Sequence, residues 1–169
     1  MTDLISVVVS TFNREDALGA VLRSLSRQSD REFEVVVADD GSGPATEAMA
    51  EQWRSRLGVT LVFVRHEKQG FRLAEIRNRA IRASAGAYCV FLDGDCLVPP
   101  DYIAMHRHLA ERGWFVTGNR ALLSQAMTII LFRPASPNAS DFWMLIRSTW
   151  PPRDTAGRSN WTAPAHTGP

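Results

Sequence analysis

The chain has 169 residues, enough for one domain of ordinary size, and its 45% hydrophobic content can supply a sizeable core. Its 19 basic and 18 acidic residues give a net charge of +1, which excludes the strongly basic surface of a general nucleic-acid-binding protein. The N-terminus lacks the basic region of a signal peptide, and no apolar run reaches the length of a membrane span. We therefore expect a cytoplasmic protein that binds no nucleic acid. Peripheral association with the inner face of a membrane stays open.

Strand and helix patterns alternate along the first two thirds of the chain. Short β-branched runs predict buried strands, and apolar residues at helical spacing predict the helices between them. The predicted strands are residues 4–10, 33–38, 59–64 and 87–92, and the predicted helices are residues 13–27, 46–57, 73–84 and 101–112. A short strand is also predicted at 114–117, followed by an apolar segment of helical character at 121–132. This alternation predicts an α/β domain over 1–132 with a parallel sheet and helices on both faces.

The remaining residues, 133–169, have a different composition. A helix is predicted at 141–149, with Ser140 as its N-cap. From Trp150 onward the chain is rich in Pro, Gly, Ser and Thr and has almost no periodicity. We predict an irregular C-terminal tail that is partly disordered.

Ligands of parallel α/β sheets bind at the carboxyl ends of the strands, and one such end carries two carboxylates. Asp93 and Asp95 follow the apolar run of the fourth predicted strand and are separated by one glycine. Two ionised carboxylates this close repel each other unless a cation lies between them. Mg²⁺ or Mn²⁺ suits carboxylate and phosphate oxygens, so the pair predicts a divalent metal site. The alternative is an acidic turn that caps the following helix.

Polar residues also follow the first two predicted strands. Asp39 and Asp40 come after the second strand, where a carboxylate can accept a hydrogen bond from the N3–H group of uracil or from a ribose hydroxyl. Thr11, Phe12 and Asn13 follow the first strand and are placed to contact a nucleobase. The alternative for both segments is a turn with an N-cap residue.

A glycine and two arginines surround the start of the third predicted helix. Arg72 follows Gly70 and is expected in the loop before the helix, and Arg77 lies within the helix. A helix N-terminus with nearby guanidinium groups suits a diphosphate. Arg79 and Arg82 are interpreted as part of a solvated helix face.

The histidines and cysteines predict no site of their own. His106 and His108 are two apart on a predicted helix and face different directions. His66 lies near the predicted site but follows a strand end, where a surface histidine is ordinary. Cys89 and Cys96 are too far apart to bridge in an extended segment, which spans roughly 23 Å over seven residues, so we expect reduced, buried thiols.

Four segments, in this order and spacing, resemble family 2 glycosyltransferases of the GT-A fold. They are ISVVVSTFNRE at 5–15, EVVVADDGS at 34–42, GFRLAEIRNRAI at 70–81 and YCVFLDGDCLVPPDYI at 88–103. The segment GNRALLS at 118–124 is similar to a branch of bacterial enzymes that build lipopolysaccharide or other surface polysaccharides. The resemblance covers roughly residues 4–132.

The resemblance implies a mostly parallel, Rossmann-like sheet that is incomplete at the C-terminus. It also implies an enzyme that transfers a sugar, with inversion, from a nucleotide diphosphate sugar to a saccharide acceptor. The expected donor is a UDP-sugar. Site roles then follow from the matching motifs. Thr11, Phe12, Asn13 and Asp39 or Asp40 would contact the uracil or ribose, Arg72 and Arg77 would lie near the nucleotide or diphosphate, and Asp93 and Asp95 would hold the diphosphate through Mg²⁺ or Mn²⁺.

One part of the family pattern is missing from this sequence. Direct displacement needs a carboxylate base to deprotonate the acceptor hydroxyl, which the family supplies from a G-W-x-x-E-D-like segment. After Asp101 the only acids are Glu111, Asp141 and Asp154, and none has the flanking pattern. The catalytic base is therefore unassigned, and we expect a C-terminally truncated chain. The alternative function is a catalytically inactive nucleotide-sugar-binding fragment.

Two other enzyme classes fit poorly. A dinucleotide-dependent oxidoreductase needs G-x-G-x-x-G after the first strand, where this chain has STFNRE. A phosphatase with an aspartate nucleophile would need a lysine downstream of the acidic motif, and the only lysine, Lys68, lies upstream of it.

Overall fold

The computed structural model describes residues 4–120 and 122–132. The predicted helix at 141–149 and the predicted tail therefore lie outside the described residues. The elements, in chain order, are β1 (Ile5–Thr11), α1 (Glu15–Leu25), β2 (Phe33–Asp39), α2 (Pro44–Arg54), β3 (Leu61–Arg65), α3 (Leu73–Ala83), β4 (Tyr88–Asp93), α4 (Tyr102–Leu109) and α5 (Gln125–Phe132).

The four strands form one sheet in the order β3-β2-β1-β4, and every pair is parallel. This confirms the predicted α/β class. All residues of β1 and β2 are buried, because helices cover both faces of the two central strands. Their continuous apolar runs, without polar alternation, are the sequence signature of that environment.

Successive residues of each strand point to opposite faces, and two separate cores result. On one face Val7, Val9, Val35 and Val37 pack with buried residues of α1, α2 and α4 such as Leu18, Ala50 and Ile103. On the other face Val8, Val36 and Ala38 pack against Ile76 and Ala80 of α3. The chain therefore crosses to the second face only after β3, which sets the position of the site.

Two sequence predictions need correction. The segment at 114–117 is not a strand: Gly113 precedes it with a positive φ of 88°, and Trp114 and Phe115 are 61% and 84% exposed. Among the described residues no second layer buries its side chains, so β propensity alone does not produce a strand there. Cys89 and Cys96 are free thiols, as predicted, but they are half-buried instead of fully buried.

The last described helix, α5, packs against α1. Across residues 4–120 and 122–132, no helix combines the length and the apolar character needed to span a bilayer.

Candidate active site

The site lies at the edge of the sheet formed by the carboxyl ends of the strands. It is next to β1, because β2 and β3 lie on one side of β1 and β4 lies on the other. β1 pairs with β2 on one side and with β4 on the other, so Thr11 lies beside Asp39 and Ser10 lies beside Asp93. A crevice opens at such a point because the connecting helices leave toward opposite faces of the sheet. Topology alone thus brings the ends of the predicted binding segments together.

The β1–α1 and β2–α2 loops are tied to each other by Asn13. Its backbone is in the left-handed region, with φ 48°, which Asn tolerates better than most residues. The Asn13 amide donates to Ser42 Oγ at 2.8 Å, and the Gly43 amide donates to Asn13 Oδ1 at 3.0 Å. Asn13 therefore joins the two loops and does not act as the N-cap of α1, which is Arg14.

Asp39 is fully buried and closes the turn that follows β2. Its carboxylate accepts hydrogen bonds from the Ser42 amide at 3.2 Å and from the Ser42 hydroxyl. Arg65 Nε lies 3.4 Å from Asp39 Oδ2. These contacts are those of a residue that closes a turn, which is one of the two roles predicted for Asp39. A direct contact between Asp39 and a ligand stays a prediction.

Asp40 is 3% exposed and is held from two sides. His66 Nε2 lies 2.6 Å from Oδ1, Lys68 Nζ donates to Oδ2 at 2.6 Å, and the Arg72 amide at the start of α3 is 3.5 Å from Oδ2. Burial raises the pKa of Asp40, but the hydrogen bonds from Lys68 and His66 more than offset it, so the pKa lies below its ordinary value. Asp40 is thus a charged acceptor at the mouth of the crevice.

Lys68 and His66 both contact Asp40, although the sequence predicted no role for Lys68 and only a surface position near the site for His66. The prediction of a surface His66 is wrong: the residue is 5% exposed, because it follows β3 directly and turns inward onto Asp40. The Lys68 ammonium also lies 3.7 Å from the centroid of the Phe12 ring. The signal available in the sequence was their place just after a parallel strand, at the edge where ligands bind.

A close approach of two loops allows this arrangement. Gly41 has φ 86°, and a Cβ built on it would lie 2.7 Å from the Lys68 amide nitrogen. Only glycine fits a positive φ combined with such a contact without strain. An open cleft of about 440 Å³ is lined here by Gly41, Arg65, His66, Glu67 and Lys68.

Arg72 directly precedes α3, as expected for a residue in the loop before the helix, and occupies the N-cap position. Its guanidinium donates to Glu75 Oε2 at 2.8 Å and to the Glu67 carbonyl at 2.5 Å. Within the described part of the chain, its buried Nε has no hydrogen-bond partner. The side chain therefore braces the β3–α3 loop beside Asp40.

Arg77 lies on the β4 side of the crevice and joins three elements. From α3, its Nε donates to Ser10 Oγ at 2.9 Å, and its Nη2 donates to Asp93 Oδ1 at 2.8 Å. Arg120 Nη1 lies 3.7 Å from Asp93 Oδ2. The cations beside Asp93 are therefore two arginines, and a guanidinium group is also suited to bind phosphate.

Asp95 is exposed, and its carboxylate accepts a hydrogen bond from the Cys96 thiol at 3.6 Å. The described residues contain no cluster of three or more His, Cys, Asp or Glu side chains arranged around a metal. Mg²⁺ and Mn²⁺ do not need such a cluster, because they bind through one or two carboxylates together with substrate phosphates and water. Asp95, with Asp93 beside it, fits an ion of this kind that arrives with a diphosphate.

Thr11 contributes a polar atom that the described protein groups leave unpaired. The residue is 7% exposed, and its Oγ1 has no hydrogen-bond partner among the described residues. Gly94 lies close by: its amide donates to the Ser10 carbonyl at 2.7 Å, and an added Cβ would be 3.3 Å from Thr11 Oγ1. The hydroxyl therefore lies at the crevice, between the end of β1 and the loop at the end of β4 that carries Asp93 and Asp95, the acidic loop.

Known proteins are similar to this chain in sequence and in fold. A validoxylamine A glucosyltransferase from Streptomyces hygroscopicus subsp. limoneus is 38% identical over 102 residues, which are 59% of this chain and 22% of that protein. A crystal structure of S. aureus TarS 1-349 in complex with UDP-GlcNAc aligns with TM-score 0.57 and 29% identity over 62% of this chain and 30% of that one. The mannosyltransferase PcManGT from Pyrobaculum calidifontis, in complex with GDP-Man and Mn²⁺, aligns with TM-score 0.59 and 26% identity over 66% and 34%.

These proteins are much longer than the matched region, since the chain spans between 22% and 34% of their lengths. The structural neighbours confirm the GT-A glycosyltransferase fold expected from the sequence. The sequence profile described as Glycosyl transferase family 2 matches residues 6–148, most of the chain. The chain therefore belongs to glycosyl transferase family 2.

Proposed function

We propose that this chain binds a nucleotide diphosphate sugar in the crevice between β1, β2 and β4 and takes part in its inverting transfer to a saccharide acceptor. One observation carries the proposal. The sheet topology places a charged, buried acceptor, Asp40, and an exposed aromatic ring, Phe12, on one side of Thr11, and the Arg77–Asp93 pair on the other. A nucleoside and a diphosphate need these two environments next to each other.

The nucleoside half fits the side of the crevice formed by β1 and β2. Phe12 is 42% exposed and offers a stacking surface for a base. The Asp40 carboxylate would accept a base N–H, and the unpaired Thr11 hydroxyl would bind the base or ribose. An N–H donor paired with Asp40 suits uracil through its N3–H group. The complex of TarS with UDP-GlcNAc supports uridine, whereas the GDP-Man complex of PcManGT makes guanosine the main competitor.

The diphosphate half fits the side formed by β4 and α3. Arg77 is held by Ser10 and Asp93, so its guanidinium has a fixed orientation at the mouth of the crevice. Arg72 braces the start of α3, whose N-terminal amides favour an anion. Together these groups would orient the diphosphate and neutralise part of its charge.

Asp95 and Asp93 are the residues that would hold Mg²⁺ or Mn²⁺. When bound, the ion would offset the charge of the departing nucleotide diphosphate as a Lewis acid. The neighbour PcManGT carries Mn²⁺ together with its donor.

A second candidate function is donor binding without transfer. Inverting displacement needs a carboxylate base within reach of the acceptor hydroxyl. Glu111 is the single carboxylate within residues 102–132, which run from α4 to the end of the described structure. It is exposed and lies between α4 and α5, outside both helices. No residue is therefore proposed as the catalytic base.

Binding and turnover can be measured separately. Titration with UDP, GDP, ADP and CDP, each with Mn²⁺, should show the tightest binding for UDP. Incubation with UDP-glucose and UDP-N-acetylglucosamine should then be followed by UDP release. Binding with release supports the transferase, binding without release supports the second candidate, and equal or absent binding of all four nucleotides would contradict both.

A further inference from the structure

The Lys68 ammonium occupies a position between an acidic and an aromatic group. Its Nζ lies 2.6 Å from Asp40 Oδ2 and 3.7 Å from the centroid of the Phe12 ring. The Lys68 side chain is one-third exposed, whereas that of Asp40 is almost completely buried. The ammonium thus covers both the outward oxygen of Asp40 and one face of Phe12.

A nucleobase bound as proposed above would need the same place. A base N–H that donates to Asp40 must lie about 2.7–3.2 Å from the carboxylate oxygen. If the same base stacks on Phe12, its ring lies within van der Waals distance of that ring, about 3.5–4 Å. The Lys68 nitrogen lies 2.6 Å from the carboxylate oxygen and 3.7 Å from the ring centroid, close to both distances, so it stands where the base N–H would be.

We propose that Lys68 is an internal competitor for the nucleobase position, which a nucleotide must displace in order to bind. This inference rests on the proposed nucleotide site. Oδ1 of Asp40 stays bonded to His66, whose side chain is 1% exposed and has little freedom to move. The carboxylate therefore keeps its orientation when Lys68 leaves, and only the flexible lysine has to change position.

The exchange lowers the affinity for the nucleotide. The displaced contacts are an ion pair, in which donor and acceptor are both charged, and a cation–π interaction, whereas the incoming contacts are a hydrogen bond from a neutral N–H to the same carboxylate and stacking. The carboxylate attracts a full positive charge more strongly than it attracts a neutral N–H donor. Removal of the ammonium should therefore tighten binding by roughly tenfold.

The first test compares uridine binding to the wild type, Lys68→Met and Lys68→Arg by calorimetry. Uridine is the probe because it lacks the diphosphate, so the loss of a positive charge cannot weaken binding through phosphate. Affinity for uridine should rise about tenfold in Lys68→Met and stay close to the wild-type value in Lys68→Arg, whose guanidinium can make the same two contacts. Unchanged or weaker binding by Lys68→Met would overturn the inference.

A second measurement observes the displacement directly. Lys68 is the only lysine in the sequence, so protein labelled with ¹³C- and ¹⁵N-lysine gives one set of lysine side-chain NMR signals. Ring-current shifts from Phe12 should be present in the wild type, absent in Phe12→Leu, and lost from the wild type on saturation with UDP. UDP binding that leaves these shifts unchanged would overturn this inference but not the proposed function. If UDP binds neither the wild type nor Lys68→Met, the proposed function fails as well.

Discussion

Arg77 and Asp93 form an ion pair across the crevice, with Nη2 and Oδ1 2.8 Å apart. The pair joins α3, which covers one face of the sheet, to the last residue of β4. The same guanidinium binds Ser10 at the end of β1. One side chain thus fixes the position of the acidic loop relative to the central strand.

Arg77→Ala should weaken binding of UDP in the presence of Mn²⁺ by roughly tenfold or more, because both a phosphate-facing cation and the support of Asp93 are lost. Arg77→Lys should retain part of the affinity, since an ammonium cannot reproduce two directed bonds to Ser10 and Asp93. Arg79→Ala is the matched control on the same helix, where the arginine pairs with Glu75. An equal loss of affinity in the control would contradict a specific role for Arg77.

Asp95→Asn should abolish the effect of metal on nucleotide binding and leave the fold intact. The residue is exposed, so the free energy of unfolding should change by no more than about 0.5 kcal/mol. The measurement is the melting temperature with UDP, with and without Mn²⁺. The wild type should gain stability from the ion in the presence of UDP and the variant should not. Glu51→Gln, an exposed acidic substitution on α2, should behave as the wild type does.

Gly94→Ala should be destabilising by about 1–3 kcal/mol. Its Cβ would lie 2.6 Å from the Ser10 carbonyl oxygen and 3.2 Å from Thr11 Cβ, both on the central strand. The acidic loop would have to move away from β1, so UDP affinity should fall together with stability. Gly118→Ala, where no atom of the described residues lies within 4 Å of the added Cβ, is the control. Urea unfolding that cannot distinguish the two variants would show that the loop is not packed against β1.

Asp40 should make stability depend on pH in the acid range. Its hydrogen bonds to Lys68 and His66 keep its pKa in the folded chain below the ordinary value of the unfolded chain, about 3.9. The stabilisation is complete above the unfolded pKa and is lost as the pH falls through the folded pKa. The stability advantage of the wild type over Asp40→Asn should therefore shrink as the pH falls from about 5 through the unfolded pKa and then below it. Unfolding free energies that differ by a constant amount over this range would contradict the pairing.

Much of this architecture could be predicted from the sequence. The buried runs of β1 and β2 and the acidic residues after β2 and β4 have strong local signals, and parallel topology then brings their ends to one edge. The contact between Arg77 and Asp93 could not be predicted, because sequence spacing does not show which strand end a side chain on α3 reaches. His66 and Lys68 were missed for a related reason. Their inward position depends on the path of the loop over Gly41, which is a tertiary contact.

The segment at 114–117 shows the opposite error. Its aromatic residues favour a strand, but the described structure gives them no neighbouring layer, and Trp114 and Phe115 stay exposed. Local propensity predicts an element only where packing supports it. The loop after β2 was ambiguous in the sequence between a turn and a binding segment. The structure assigns the turn contacts to Asp39 and leaves Asp40 as the charged acceptor at the crevice.

Calorimetric titration of UDP into the wild-type chain, once with Mn²⁺ and once with EDTA, tests the central claim most directly. We predict saturable binding at one site with Mn²⁺ and at least tenfold weaker binding with EDTA, since the ion is expected to join the diphosphate to Asp95. Absence of binding under both conditions, or an affinity that is the same with and without the ion, would contradict a metal-assisted nucleotide diphosphate site in this chain.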